Sequence, residues 1–274
     1  MAPAATSQEM KLAEACKAEG NRRFGLQKYA AAIESYTEAI CHAPEWDVLY
    51  INRALCHKKR SDWEAVRADS QRALDLFSES VKSHFFLGVA LLELGAPKQR
   101  AIDHLIKALE LAREKGDKMK DDIWRELARA KYTQWQEVSS VRKAKRKRLQ
   151  HRLETVMQRE LEAAVGTSEE QAVRDDIETM EEALRSVSRE DEAGEIPAAY
   201  VCRLTMDIFR DPVMTPSGLS YERSALLEHL HKVGKFDPVT RSTMGSSQLV
   251  TNLGLRSAAH QYLDDHPWAW AECM

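Results

Sequence analysis

The sequence predicts a mainly α fold in three parts: an array of repeated helix pairs, a helical hairpin or coiled-coil arm, and a small α+β domain at the C-terminal end. Three observations carry that reading. An apolar pattern returns at a fixed interval through the N-terminal part. Between Pro97 and Gly194 there is no proline and only Gly116 and Gly166, in a stretch rich in Leu, Ala, Glu, Lys and Arg that favours long helices. From Gly194 onward Pro197, Pro212, Pro216, Gly218, Gly234, Pro238, Gly245, Gly254 and Pro267 come at short intervals, the texture of a small turn-rich domain. The acidic run REDEAGE before that change reads as a solvated linker, with a boundary near residue 195.

Composition bounds the partners. The 274 residues hold 40 Lys plus Arg against 43 Asp plus Glu, a formal charge of −3, with 43% apolar and 30% charged residues. That length allows two domains, or one domain and an extended array, and the apolar fraction suffices for cores. The near balance of charge argues against a globally basic nucleic-acid binder and an acidic disordered tail. The five cysteines, Cys16, Cys41, Cys56, Cys202 and Cys273, include no C-x-x-C pair. Neither a disulfide framework nor a zinc finger is expected, and a reducing compartment is the natural reading. The N-terminus MAPAATSQEMK lacks an apolar core of signal-peptide length, and no apolar run approaches a bilayer span. A soluble intracellular protein with no membrane partner is expected.

The first part repeats itself. Tyr29, Ala32, Ile33, Tyr36, Ala39 and Ile40 are matched 34 residues later by Trp63, Val66, Arg67, Ser70, Ala73 and Leu74. After one extra residue near Pro97 the pattern returns as Ala101, Ile102, Leu105, Ala108 and Leu109. This period, with small residues where helices cross, is the tetratricopeptide signature: each unit is a helix pair that cannot bury its own apolar face, so stacked units share a core. Three repeats are expected over 9–112. Ile123, Trp124, Leu127 and Ala128 then mark a capping helix over 113–136. The first helices of the repeats should line a concave groove.

Counted within each repeat, Lys17 and Asn21 of the first helix, Asn52 of the second unit, and Lys82 and Phe86 of the third fall where side chains converge on that groove. Two ammonium groups with two amides make a receptor for a pair of carboxylates: the charges supply affinity and the amides fix orientation. Any one of these residues alone reads as an ordinary solvated helix residue, but four in matching register do not. The set resembles the carboxylate clamp of tetratricopeptide co-chaperones, which hold the C-terminal EEVD tails of the heat-shock protein 70 and 90 families. The resemblance implies that Lys17, Asn21, Asn52 and Lys82 form the clamp, that Phe85 and Phe86 border an apolar subsite, and that Asp122 receives a peptide donor.

Over 137–193 apolar residues at spacings of three and four run from Val138 to Val165 and, after Gly166-Thr167-Ser168, from Val173 to Val187. They predict two amphipathic helices with Thr167 or Ser168 as N-cap. So narrow a stripe suits packing on another helix, and a homodimer through this arm is expected. The basic run RKAKRKR at 142–148 reads as the charged face of the arm, since no aromatics are interleaved as in a nucleic-acid patch.

The last segment, 195–267, carries Asp211-Pro212-Val213, Pro216-Ser217-Gly218, Tyr221-Glu222-Arg223 and Phe236-Asp237-Pro238-Val239-Thr240-Arg241 in order. It predicts a loop, a hairpin around Pro216-Ser217-Gly218, a helix at 224–231 and a second loop before a final helix. The ordered set resembles the U-box, the metal-free counterpart of the RING domain, which recruits a ubiquitin-conjugating enzyme. No zinc-ligand set is written in it, so Asp211, Glu222, Arg223, Asp237 and Arg241 are expected to fix the loops, and Leu226, Leu227, Leu230, Val239 and Leu249 to form the core. The resemblance implies that the conjugating enzyme docks on Leu204, Met206 and Pro238. It makes Arg241 the residue that orients the ubiquitin thioester; no residue serves as catalytic nucleophile.

Taken together, the parts resemble the chaperone-associated U-box ubiquitin ligases, with a lean towards plant members. The implied function is a ligase and co-chaperone that ubiquitinates chaperone-bound misfolded clients, needs neither metal nor cofactor, and works in the cytoplasm, with a nuclear location left open by the basic run. The alternative is a non-enzymatic dimeric adaptor with the U-box as scaffold.

Overall fold

The computed structural model describes residues 6–189 and 192–274. The sequence readings at the first five residues and at residues 190 and 191 of the acidic linker lie outside them. The chain divides into two units, Met1–Lys131 and Tyr132–Met274.

In the first unit six helices pack as consecutive pairs: α1 (Ser7–Gly25) with α2 (Tyr29–His42), α3 (Asp47–Lys59) with α4 (Trp63–Leu76), and α5 (Val81–Glu93) with α6 (Lys98–Glu114). Local sequence starts them. Thr6 and Glu9 form a capping box on α1, Asp62 accepts from Ala65 N–H at α4, and Ser80 accepts from Ser83 N–H at α5. Small residues let the pairs close: Ala32, Ala39, Ala73, Ala101 and Ala108 are fully buried. A Cβ on Gly20 would stand 2.7 Å from the Tyr36 ring, so only glycine fits at that crossing.

The turn inside each pair repeats as well. Gln27, Ser61 and Gly95, spaced like the apolar pattern, hold φ of 59°, 58° and 67°. Only the third is the glycine that this left-handed backbone favours.

The seventh helix, α7, runs unbroken from Lys120 to Ala164. Its first turns bury Ile123, Trp124, Leu127 and Ala128 as a cap on the array. The expected boundary between a capping helix and an arm at 136/137 does not exist as a break, because no glycine or proline falls between Gly116 and Gly166. At Gly166 the chain does turn, with φ of 78°. Thr167 Oγ1 accepts from Glu169 N–H in a local turn ahead of α8 (Glu170–Arg189), so the residue directly before the helix is Glu169 and not the expected Thr167 or Ser168. Val173, Ile177, Met180 and Leu184 are half-buried, whereas Val138, Val141, Leu149 and Val156 of α7 are about half exposed.

The C-terminal domain is built on a three-stranded antiparallel sheet of order β2-β1-β3, from β1 (Pro212–Met214), β2 (Ser220–Glu222) and β3 (Val250–Thr251). The expected hairpin pairs Val213 with Tyr221. Helices α9 (Arg223–Lys232) and α10 (Leu253–Asp265) follow β2 and β3. The core holds Val213, Tyr221, Leu226, Leu230, Ala259 and Leu263. Leu249 is only half-buried, and Leu227 and Val239 are 40% and 52% exposed. Leu227 lies one residue round α9 from the inward-facing Leu226, and Val239 sits at a loop tip. A 3₁₀ segment, Pro267–Cys273, buries Trp268, Trp270 and Cys273 beyond the expected end of the domain at 267. No described helix is long and apolar enough to cross a membrane.

Candidate functional site

The groove residues lie on the first helix of each pair. Lys17 of α1 places its ammonium 4.1 Å from the ring of Trp46, the N-cap residue of α3. One turn on, Asn21 accepts a 2.7 Å hydrogen bond from the Tyr36 hydroxyl through Oδ1, which leaves its N–H₂ end as donor. Tyr36 keeps its proton for that bond: burial, with the Cys56 thiol beside it, pushes its pKa up to about 12. Asn52 of α3 is half-buried, and the next residue, Arg53, forks onto Asp69 of α4 at 2.9 and 2.6 Å, pinning this turn. α3 also packs on α5, where Lys82 is exposed. The helices carrying the four expected residues are thus tied in sequence, α1 to α3 to α5.

Phe85 and Phe86 differ from expectation. Each is only 4% exposed, because α3, α4 and α6 all pack on α5, so the rings are core and do not border an open subsite. Lys58 of α3, which sequence reasoning missed, lies over them with its ammonium 4.8 and 5.5 Å from the two ring centroids. Burial lowers its pKa, while Glu126 and Asp122 of α7 act to retain its charge. Asp122 itself is exposed, 3.7 Å from Arg125.

The two loops of the C-terminal domain are copies of one design. In the first, Cys202 N–H donates to Asp207 C=O and Met206 N–H to Cys202 C=O; in the second, Asp237 N–H donates to Ser242 C=O and Arg241 N–H to Asp237 C=O. Isolated bridges Val201 to Ile208 and Phe236 to Thr243 close them. Thr205 and Thr240 hydroxyls accept from the N–H two residues on, and Met206 and Arg241 both hold φ of 61°. Each loop hangs on a buried acceptor at its start. Cys202 Sγ accepts from Leu204 N–H at 3.4 Å and Glu222 N–H at 3.2 Å. Asp237 accepts from Val239 and Thr240 N–H and from the hydroxyls of Thr215, Ser217 and Tyr221, at 2.6–3.0 Å. Consecutive residues of β2, Tyr221 and Glu222, therefore bind the two loops to one strand.

Burial opposes ionisation of Asp237, but the donors from Ser217, Thr240, Val239 and Tyr221 outweigh it and hold the carboxyl well below the usual range. Glu222 accepts from Arg210 and Asp211 N–H, yet burial wins there and raises its pKa. Arg223 pairs with Asp211 at 2.7 Å and also reaches Thr251. Of the expected loop-fixing residues only Arg241 is misassigned. Among the described residues it is in no ion pair; it is exposed, with its guanidinium 5.0 Å from the Phe236 ring.

Residues 196–268 match the U-box domain family. Along almost its whole length the chain is also similar to the E3 ubiquitin-protein ligase CHIP of Arabidopsis thaliana, with 39% identity over 267 residues, 94% of this chain and 96% of that one. The chain belongs to the CHIP family of ubiquitin-protein ligases. U-box domain-containing protein 37 of the same plant is 33% identical over 84 residues, 31% of this chain and 21% of its own. Among solved structures, the second TPR domain of human RPAP3 in complex with an HSP70 peptide is 29% identical, covering 45% of this chain and 98% of that one, with a TM-score of 0.41.

The CHIP-family assignment gives the copied loops their meaning. Where a RING would cross-brace such loops with zinc, here a thiol and a carboxylate collect the N–H groups. Cys202 is thus a buried structural acceptor, and Cys273 is buried too. The exposed tips carry Leu204 and Met206 on one loop and Val239 and Arg241 on the other, with Pro238 half-buried between.

Proposed function

We propose that this U-box ubiquitin ligase is a co-chaperone, in which the repeats hold the acidic C-terminal tail of heat-shock protein 70 and 90 family chaperones while the U-box presents a ubiquitin-loaded conjugating enzyme to the chaperone-bound misfolded client. The observation that carries the first half is the set Lys17, Asn21, Asn52 and Lys82 on linked first helices, with the Asn21 amide turned donor-outward by Tyr36. Lys58 adds a cation above Phe85 and Phe86, and Asp122 offers an acceptor. A tail ending in an Asp brings two carboxylates to this donor set. The second half rests on the family and on the exposed tips: Leu204, Met206 and Pro238 form the docking surface, and Arg241, held out on Phe236, hydrogen-bonds the conjugating enzyme and its ubiquitin. The ligase forms no covalent intermediate; it gains rate by restricting the thioester to poses that an incoming lysine can attack. Tethering by the chaperone raises the effective concentration of client, which selects it.

In this reading the protein works in the cytoplasm, with a nuclear location open, and dimerises through the half-exposed apolar stripe of α7. The decisive measurement is fluorescence polarisation with a labelled peptide ending in EEVD. Binding in the micromolar range is expected, lost with Lys82→Ala and with a C-terminal amide. Equal affinity for the amidated peptide would overturn the clamp.

A further inference from the structure

The sequence shows no metal motif, yet the fold of the first repeat assembles one. Cys16 of α1 and Glu38 and His42 of α2 bring a thiol sulfur, a carboxylate oxygen and an imidazole nitrogen to within 4.8 Å of one another, the one such group of three among the described residues. Glu38 and His42 stand four apart on one face of α2. Cys16 is held opposite them by packing against the buried cluster of Ala13, Ala39, Ala43 and Leu49. Cys16 and His42 are half-buried and Glu38 is exposed, so the site is walled on the protein side and open to an entering ion.

From this geometry we propose that Cys16, Glu38 and His42 bind one zinc(II) ion, with water in the fourth position. The donor set is the one zinc favours: one soft thiolate, one imidazole and one carboxylate, three protein ligands with an open corner. Bond lengths of about 2.0–2.3 Å put tetrahedral ligands about 3.3–3.8 Å apart, so side-chain rotation of roughly an ångström closes the site without moving either helix. Charge also balances, since a thiolate and a carboxylate neutralise the dication. His42 ends α2, where the exposed carbonyls favour a cation. On binding, the Cys16 S–H bond breaks, its proton passes to solvent, and the sulfur's electron pair forms the S–Zn bond. The ion would staple α1 to α2 directly behind Lys17. The inference stands independently of the ligase reading, because the U-box loops are anchored by Cys202 and Asp237 and share no residue with this site.

The test is an anaerobic cobalt(II) titration of the tag-free full-length chain in a non-coordinating reductant, followed by zinc(II). One cobalt per chain is expected, with a thiolate-to-cobalt charge-transfer band and tetrahedral visible bands that zinc bleaches. Cys16→Ser should abolish the charge-transfer band, Glu38→Gln should weaken cobalt binding at least tenfold, and so should His42→Asn, whereas Cys41→Ser should change nothing. Absence of the band in the wild-type chain, its survival in Cys16→Ser, or unchanged affinity in Glu38→Gln would each overturn the site. Glu38 is exposed, so that last variant tests the ligand without threatening the fold.

Discussion

Asp237 shows how much one buried carboxylate can do in anchoring a loop. It is 1% exposed and serves five donors from three segments, so the second loop, the first hairpin and β2 share one anchor. Replacing it with Asn sets an N–H₂ against donors and removes the charge. A loss of about 2–3 kcal/mol is expected, measurable by urea unfolding followed at the buried tryptophans. The pH dependence has a definite sign. The native pKa lies below the unfolded value of about 4, so the stabilisation is complete above that pH and is lost as pH falls through the depressed native value. Wild type should therefore converge on Asp237→Asn as the solution is acidified; a constant gap down to low pH would refute the ionised form. The absence of a zinc-ligand set marked Asp237 as a loop-fixing residue, but gave Cys202 no such part. A signal was present: Cys-Arg-Leu-Thr-Met-Asp and Asp-Pro-Val-Thr-Arg-Ser align with a threonine at the same place, yet six residues with one identity do not announce a repeat.

At the scale of elements, the repeated turn offers a cleaner comparison. Gln27, Ser61 and Gly95 hold nearly the same φ, and nothing lies within 4 Å of a Cβ added at Gly95. Gly95→Ala should then cost about 1 kcal/mol through backbone strain alone, and Ser61→Gly should recover about half as much, the rest being offset by unfolded-state entropy. Thermal unfolding of the two variants checks both; the same sign for both would show that packing outweighs the backbone there. The arm is the second case. Leu149 and Val156 are 51% and 49% exposed on α7, and the proposed dimer covers them. Leu149→Lys with Val156→Lys should turn a dimer into a monomer in analytical ultracentrifugation, with helical content by circular dichroism unchanged. The capping helix and the arm looked separate in the sequence because their apolar residues serve different neighbours, whereas the backbone had no reason to break between them.

For the whole molecule the prediction is separability. In a reconstituted ubiquitination assay, Pro238→Ala and Arg241→Ala should lower chain formation on every substrate. Lys82→Ala should leave auto-ubiquitination intact and abolish only the chaperone-stimulated modification of an unfolded client. Chelator should leave chain formation unchanged, since both U-box loops are anchored by protein groups. An auto-ubiquitination defect in Lys82→Ala would show that the two activities are not independent, and silence with every conjugating enzyme would favour a non-enzymatic adaptor.

What the sequence determined by itself was whatever is encoded by period and order: three helix pairs, a long helical stretch, a hairpin, and two turn-forming segments in the succession shared by one family. Periodicity is local, and composition acts within a few residues, so both survive reading in one dimension. Which side chains meet was decided only by tertiary structure. Phe85 and Phe86 left the groove for the core because three helices close on α5, and Lys58 took the space above them. Arg241 stayed free of the loop's ion pairs because the backbone N–H groups and hydroxyls had already filled Asp237. Cys16 met Glu38 and His42 across a helix turn that no spacing in the chain records, since the contact depends on how two helices rotate against each other about their buried alanines.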